Sequence, residues 1–597
     1  MTWLQGMEKK RAKPGAQSVR SVNYASSPLL ASKTPPWRSR LCVAMVGLGF
    51  AVLLGRAAYV QIVGQPFFAK QGEIRYARTL ELPAHRGMIA DRNGEPLAIS
   101  TPVESVWASP EDVKIDAAQR RALARLLGMS EAELGRRLAD KEREFVYLKR
   151  HLAPDVAARV VQLGLPGVSL KREYRRYYPA GDVTAHLLGF TDVDDRGQEG
   201  IELAYQDWLA GKPGSRRVIK DRLGRVVEDG ASIRTPVEGR GLQLSIDRKL
   251  QYLAHRELKN AVTEHRAKAG GIVVLDVKTG EVLAMANLPA YNPNNRTRRS
   301  AERARNRAIT DLFEPGSTLK PFTVAAALEA RVVRPNTTIQ TAPGYLVVGD
   351  ARIHDVHPAG VLTVSQVIQR SSNVGIAKLA LSLPREQLWT VLSAAGFGAP
   401  PQSGFPGEVS GRLRDYQKWR PIEQATLSYG HGISVSLLQL ARAYTVFATD
   451  GELRPVTLLK RDAPVSGTRV ISPATAQAVR AMLETVVQPG GTAVRAQVMG
   501  YRVAGKTGTA HKLEGGAYAA DRYVSSFVGM APASDPRLLV AVMIDEPEGR
   551  EYYGGVVAAP VFRAVIAEAL RMLSVQPDAP LTIVEPDEPA LDAREEV

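Results

Sequence analysis

One apolar run decides most of what this chain can be. Residues 41–63, LCVAMVGLGFAVLLGRAAYVQIV, carry a single charge, Arg56. As a helix rising ~1.5 Å per residue they reach roughly 34 Å, enough to cross a bilayer. Arg56 sits near the far end, where its long stem can snorkel to the interface. Ahead of the run stand Lys9, Lys10, Arg11, Lys13, Arg20, Lys33, Arg38 and Arg40 against Glu8. That bias places residues 1–40 in the cytoplasm and everything after residue 64 on the far side of the membrane. A cleaved signal would end in small residues, whereas Gly64-Gln65-Pro66 follows here. The run therefore reads as a retained single-pass anchor.

The 597 residues exceed what one core accommodates, and 45% hydrophobic with 23% charged residues is a folded composition. The net charge of +17 suits an anionic partner. No basic-aromatic cluster of a nucleic-acid module accompanies it, so nucleic acid is not expected. Cys42, the only cysteine, excludes an intrachain disulfide and a cysteine zinc site. His354 and His357 flank Asp355 without the helical HExxH spacing, so they read as loop histidines, with no metal and no cofactor expected.

Residues 64–235 mix short strands with Arg-rich helices such as 117–128, and Asn93-Gly94 reads as the turn of a hairpin over 86–100. A second region, 236–573, opens on a helical pattern from Asp247 to about Ala269, followed by a strand, turn and strand. Helical stretches at 317–330, 363–381, 434–449 and 473–487 then precede strands near 501–510, 522–530 and 537–545. The expected class is α+β, with the first and last strands in one antiparallel sheet. Residues 574–597, rich in Pro, Asp and Glu, read as a disordered acidic tail.

Three short motifs carry chemistry. In Ser317-Thr318-Leu319-Lys320, residues three apart share a helix face, so the lysine can reach the serine. The helix start favours a developing anion, and a neutral lysine can take the serine proton. Ser371-Ser372-Asn373 offers hydroxyls that can relay a proton and an amide that can hold a substrate. Lys506-Thr507-Gly508-Thr509 reads as a strand on which Gly508 lets another backbone approach. Such an edge can pair with a peptide while Lys506 and the threonine hydroxyls hold its terminal carboxylate. Each motif alone has a plain structural reading, such as a helix cap or a surface lysine.

Similar patterns elsewhere are weaker. Ser21-Val22-Asn23 lies on the cytoplasmic side of the anchor, and Lys278-Thr279-Gly280 reads as a hairpin turn. Residues 500–507, GYRVAGKT, fit the phosphate-loop pattern, but GTAHKLEGG follows where a helix is required, so no nucleotide is expected.

In this order, on the exported side, SxxK, SxN and KTG resemble penicillin-binding proteins and class A β-lactamases, with SSN here in place of SDN. RGMIADRNGEPLA, REYRRYYPAG, GQEGIELAYQDWLAG, FEPGSTLKP, RSSNVG, YGHGISVSLLQLARAYTVFA and ETVVQPGGTA ahead of AGKTGTAHK extend the resemblance to class B penicillin-binding proteins, and within them to the division-specific branch. The resemblance implies a non-catalytic pedestal over 64–235 and a serine β-lactamase-like transpeptidase domain over 236–573. It implies a bacterial inner-membrane protein whose catalytic domain is periplasmic. It makes Ser317 the nucleophile toward D-Ala-D-Ala stem peptides and β-lactams, and Lys320 its base, kept neutral by nearby Lys506. Ser371 and Asn373 would serve the leaving group and substrate amide. Thr507, Gly508 and Thr509 would bind substrate, with the Ser317 and Thr509 N–H groups as the oxyanion hole. Implied partners are the membrane through 41–63, an FtsW-type glycosyltransferase and other divisome proteins. An elongation-specific enzyme, a β-lactamase and a non-catalytic β-lactam sensor or divisome scaffold share parts of the pattern.

Overall fold

The computed structural model describes residues 35–68, 77–220, 226–295, 300–514, 517–549 and 551–581. The chain divides into two units, residues 1–79 with 217–230, and residues 80–216 with 231–597. In the first, helix α1 (Pro36–Ala58) continues through a π turn, Tyr59–Val63. Together, Pro36–Val63 is long and apolar enough to cross a membrane. It begins ahead of residue 41 because Pro36 suits the first helical position, which takes Trp37, Arg38 and Arg40 into the opening turns. The basic residues before it, through Lys33, lie outside the described residues.

The second unit opens with the pedestal. Strand β1 (Pro96–Ala108) pairs antiparallel with both β2 (Val146–Leu152) and β3 (Val168–Tyr177). The expected hairpin is present: Ile89–Ala90 pairs with the start of β1, and Asp91 Oδ1 accepts from the N–H groups of Asn93 (2.8 Å) and Glu95 (2.9 Å) across the turn. The helix at Ala117–Leu127 is held by a capping box between Asp116 and Gln119. Three of the sequence stretches quoted above meet at one buried carboxylate. Glu202 accepts from Arg86 Nε at 2.7 Å and from Arg176 Nε at 2.6 Å, and all three side chains are essentially inaccessible. Removing one member of such a group costs about 3–5 kcal/mol, which fixes the hairpin strand to the end of β3.

Helix α2 (Arg248–Glu264) starts at Asp247, whose carboxylate accepts from the Lys249 and Leu250 N–H groups at 2.9 and 3.1 Å. It stops earlier than the expected Ala269, because Arg266 takes a left-handed φ of 47° and redirects the chain into a strand. Strands β4 (Ala269–Asp276) and β5 (Val282–Leu288) are buried throughout. Next come helices α3 (Lys320–Glu329), α4 (Asn373–Leu381) and α5 (Leu437–Ala448). Strands β6 (Ala504–Glu514), β7 (Ala517–Ala531) and β8 (Leu538–Asp545) follow, then helix α6 (Ala559–Met572). The sheet runs β5-β4-β8-β7-β6 with every neighbour antiparallel, so the early and late strands share one sheet and β6 is an edge.

Helices cover both faces of this sheet. A Cβ on Gly270 would meet Val262 and Leu258 of α2, whereas one on Gly271 would meet Leu437 of α5. Lys278-Thr279-Gly280 is the turn between β4 and β5, with Gly280 N–H donating to the Asp276 carbonyl at 2.9 Å. The helical stretch expected over 363–381 is two helices, Val364–Gln369 and α4. They part at Ser371, whose φ is +59°. The tail expected from 574 is docked through its first part. Tyr501 Oη donates to the Val575 carbonyl at 2.6 Å, and Asp578 accepts from Arg502 N–H (2.7 Å) and Ser534 Oγ (2.7 Å). The remainder, 582–597, lies outside the described residues.

Candidate active site

Four chain segments converge beside the edge strand. Gly316–Leu319 forms a 3₁₀ turn that runs into α3, because Pro321 suits the first turn of a helix and removes a donor that would have no partner there. The turn leaves Ser317 half-buried while Lys320 is fully buried. The turn is fixed from behind by Tyr444 of α5, whose phenol donates to the Thr318 carbonyl at 2.6 Å. No sequence pattern marks Tyr444 as anything but core.

Lys320 Nζ donates to the Ser371 carbonyl at 2.5 Å and lies 3.0 Å from Ser371 Oγ. Lys506, also fully buried, reaches the same hydroxyl at 2.9 Å and Thr507 Oγ1 at 3.2 Å. One hydroxyl thus stands between two amines drawn from sequence segments far apart. Thr507 Oγ1 is paired in turn with Thr492 Oγ1 at 2.8 Å, and Thr509 Oγ1 accepts from Gly554 N–H at 3.2 Å. Thr492, within ETVVQPGGTA, and Gly554 receive no role from the sequence, since a hydroxyl and a glycine show what they bond only once the chain folds.

Gly508 explains how the edge strand approaches the serine turn. A Cβ there would stand 2.6 Å from Ser526 Oγ, 2.8 Å from the Pro315 carbonyl oxygen and 2.9 Å from Thr318 Cγ2. Only a residue without a side chain lets β6 lie against residues 315–318. Among the described residues the outer edge of β6 has no strand partner, as pairing with an extended peptide requires.

Ser371 holds a left-handed backbone, an arrangement that a non-glycine residue keeps only where neighbours over-determine it. Asp355 supplies that support. Its carboxylate accepts from Ser372 Oγ at 2.6 Å and from Val374 N–H at 2.9 Å, while Ser372 Oγ also caps α4 through Gly375 N–H. Asn373 is turned to the His354 carbonyl at 3.1 Å. His354 and Asp355 therefore brace the serine turn, which the reading as loop residues did not foresee. Asparagine at 355 keeps the size but weakens two charge-assisted hydrogen bonds, each worth about 1.5–3 kcal/mol. The expected result for Asp355→Asn is acylation by a fluorescent penicillin slowed about tenfold with the fold retained by circular dichroism. An unchanged rate would show that the turn holds itself.

Electrostatics at the rim follow from burial. Desolvation by burial pushes the His431 imidazole down to about 4, so the ring is neutral at neutral pH. Burial raises the Glu314 carboxyl, partly offset by donation from Gly432 N–H at 2.8 Å and Tyr518 Oη at 3.0 Å. Glu314, three residues before Ser317, thus meets Gly432 and Tyr518, and the sequence reading assigns no role to Glu314, His431 or Tyr518. Among the described residues no group of three or more metal-ligating side chains occurs.

The chain is similar to known proteins along most of its length. Residues 270–567 match the penicillin binding protein transpeptidase domain, and residues 81–244 the penicillin-binding protein dimerisation domain. The peptidoglycan D,D-transpeptidase FtsI of Escherichia coli K12 is 45% identical over 549 residues, covering 91% of this chain and 93% of the relative. The apo TP domain of Burkholderia pseudomallei penicillin-binding protein 3 is 50% identical with a TM-score of 0.53, covering 56% of this chain and 98% of that one. A peptidoglycan synthetase from Bifidobacterium adolescentis is 26% identical with a TM-score of 0.67, covering 85% and 98%. Since a dimerisation-type domain precedes a transpeptidase domain, and a relative is matched along nearly its whole length, the chain belongs to the class B penicillin-binding proteins.

Proposed function

We propose that this protein is a peptidoglycan D,D-transpeptidase that cross-links stem peptides during septal wall synthesis through an acyl-enzyme on Ser317. One observation carries the reading: Lys320 and Lys506, from two separate motifs, meet on the hydroxyl of Ser371 beside the half-buried Ser317. Two amines this close do not both carry charge at low cost. A neutral Lys320 takes the Ser317 proton as the hydroxyl attacks the penultimate D-Ala carbonyl. The N–H groups of Ser317 and Thr509 receive the oxyanion, an arrangement in which each donor is worth roughly 3–4 kcal/mol. Lys506, with the Thr507 and Thr509 hydroxyls, holds the terminal carboxylate, and Asn373 orients the substrate amide.

As the peptide bond breaks, the proton passes from Lys320 through Ser371 to the departing D-alanine amine, leaving the acyl group on Ser317. An amine of a neighbouring stem peptide then attacks the ester, returns its proton along the same path and frees the serine. β-Lactams enter as analogues of the D-Ala-D-Ala end and stop at the ester. The helix over Pro36–Val63 anchors the chain in the inner membrane. The basic residues ahead of it support a cytoplasmic N-terminus with the pedestal and catalytic domain in the periplasm. The septal role, with an FtsW-type glycosyltransferase and other divisome proteins as partners, rests on the likeness to FtsI.

The test is the mass of peptides from penicillin-treated full-length protein. One adduct, on the peptide bearing Ser317, is expected. An adduct on another residue, or none, would overturn the mechanism.

A further inference from the structure

The hairpin of β6 and β7 reaches past the sheet that carries it. Strand β8 pairs with β7 only from Val524 to Ala531, whereas β6 and β7 go on pairing as far as Leu513 and Tyr518. Among the described residues this outer ribbon has no third strand, and two strands alone are marginal in water. A register shift between His511 and Leu513 bends it at Lys512, whose ammonium is tied to the Asp545 carboxylate at 2.8 and 2.9 Å.

Beyond that bend, one bond brings the ribbon back to the serine. Tyr518 Oη donates to the Glu314 carboxylate at 3.0 Å, and Glu314 stands three residues before Ser317. The same carboxylate accepts from Gly432 N–H at 2.8 Å, and its side chain is only 11% exposed. The His431 ring lies against Tyr518 with centroids 5.7 Å apart and against Tyr429 at 5.1 Å, which backs the phenol on one side. Glu314 thus joins the serine turn, the 429–432 loop and the ribbon through a single carboxyl group.

The ribbon also lies on the course of the donor peptide. With the terminal carboxylate at Lys506 and the reacting carbonyl at the Thr509 N–H, an extended stem continues along β6 beyond Thr509. From Thr509 to Leu513 the strand runs about 13 Å, a length that pairs with about four residues of peptide.

We propose that Glu314 is a positioning residue for the donor: its bond to Tyr518 sets the ribbon in place to pair with the stem residues that precede D-Ala-D-Ala. The proposal rests on the transpeptidase reading for the course of the peptide. A ribbon released from Glu314 pivots at the Lys512 bulge, so its edge no longer continues the line of Lys506 to Thr509. The strand beside the serine stays in place, because Gly508 keeps it against residues 315–318. Loss of the bond therefore weakens binding of a long donor and spares a short one that ends near Thr509.

The experiment compares full-length wild type in detergent with Tyr518→Phe, which removes one hydroxyl from a side chain that is 49% exposed, and with Glu314→Gln, which keeps the size and an acceptor oxygen. Two thioester donors share one reacting D-alanine and one carboxylate-bearing leaving group. The short donor is N-acetylated at that D-alanine, the long donor carries the rest of the stem, and the released thiol is measured. Tyr518→Phe is expected to raise KM for the long donor at least fivefold while kcat falls less than threefold. Its KM for the short donor and its labelling by fluorescent penicillin should stay within twofold of wild type. Glu314→Gln, which still offers the phenol an acceptor, should fall between Tyr518→Phe and wild type. Adding it to Tyr518→Phe should change KM by less than a further twofold, since both remove one interaction. An unchanged KM for the long donor in Tyr518→Phe overturns the proposal, and so does an equal loss on both donors, which marks general damage to the site. Failure of penicillin to label wild type would overturn the transpeptidase reading and this proposal with it, whereas normal labelling with no difference between the donors overturns this proposal alone.

Discussion

Alanine at position 317 is expected to abolish covalent labelling by fluorescent penicillin and cross-linking of stem peptides, with the melting temperature changed little. Ser317 is small and only half-buried, so its removal tests chemistry rather than folding. A nucleophile of this kind typically accounts for roughly 10⁶-fold in rate. Lys320→Ala should behave differently. General-base assistance is commonly worth roughly 10²–10⁴-fold, so slow residual labelling that still maps to Ser317 is expected. Because Lys320 is fully buried against Ser371, its loss also leaves a void and removes a donor from the Ser371 carbonyl, and the melting temperature should fall. Labelling of Ser317→Ala, or undiminished labelling of Lys320→Ala, would remove the roles given to these residues.

Much of this architecture is legible along the chain because its signals are local. The membrane helix, the capped helix at Ala117–Leu127, the β4–β5 hairpin and the edge strand after Arg502 all follow from short-range pattern and turn chemistry. The phosphate-loop reading of 500–507 fails for a local reason too, since a strand rather than a helix follows the lysine. What stayed hidden depends on distant segments meeting. The break at Ser371 within an apparently continuous helical stretch arises because Asp355 and the two lysines hold it from outside. Glu202 gathers Arg86 and Arg176 across a span that no periodicity links. The roles of Thr492, Tyr444 and Gly554 exist only once β6 and α5 meet the serine turn and the residues after β8 reach Thr509.

The same dependence on long-range approach makes Gly430 a sensitive position outside the motifs. Its φ is +92°, and a Cβ would stand 2.2 Å from the Gly316 carbonyl oxygen and 2.4 Å from the Gly316 nitrogen. Those are backbone atoms of the turn that carries Ser317, so no rotamer change can relieve the clash. Either the loop at 429–432 or the serine turn must shift. Gly430→Ala is expected to cost about 1–3 kcal/mol in backbone strain and a similar amount in overpacking. Displacing the serine by about 1 Å costs roughly 10²-fold in rate, so acylation should fall at least that far. Gly432→Ala separates the two causes: its φ is +77°, but a Cβ there would meet nothing within 4 Å. The second variant should lose stability through strain alone and keep an acylation rate within a few-fold of wild type. Melting temperatures and acylation kinetics measured side by side decide the matter, because equal rates for the two variants would mean that contact between residues 430 and 316 does not position the nucleophile.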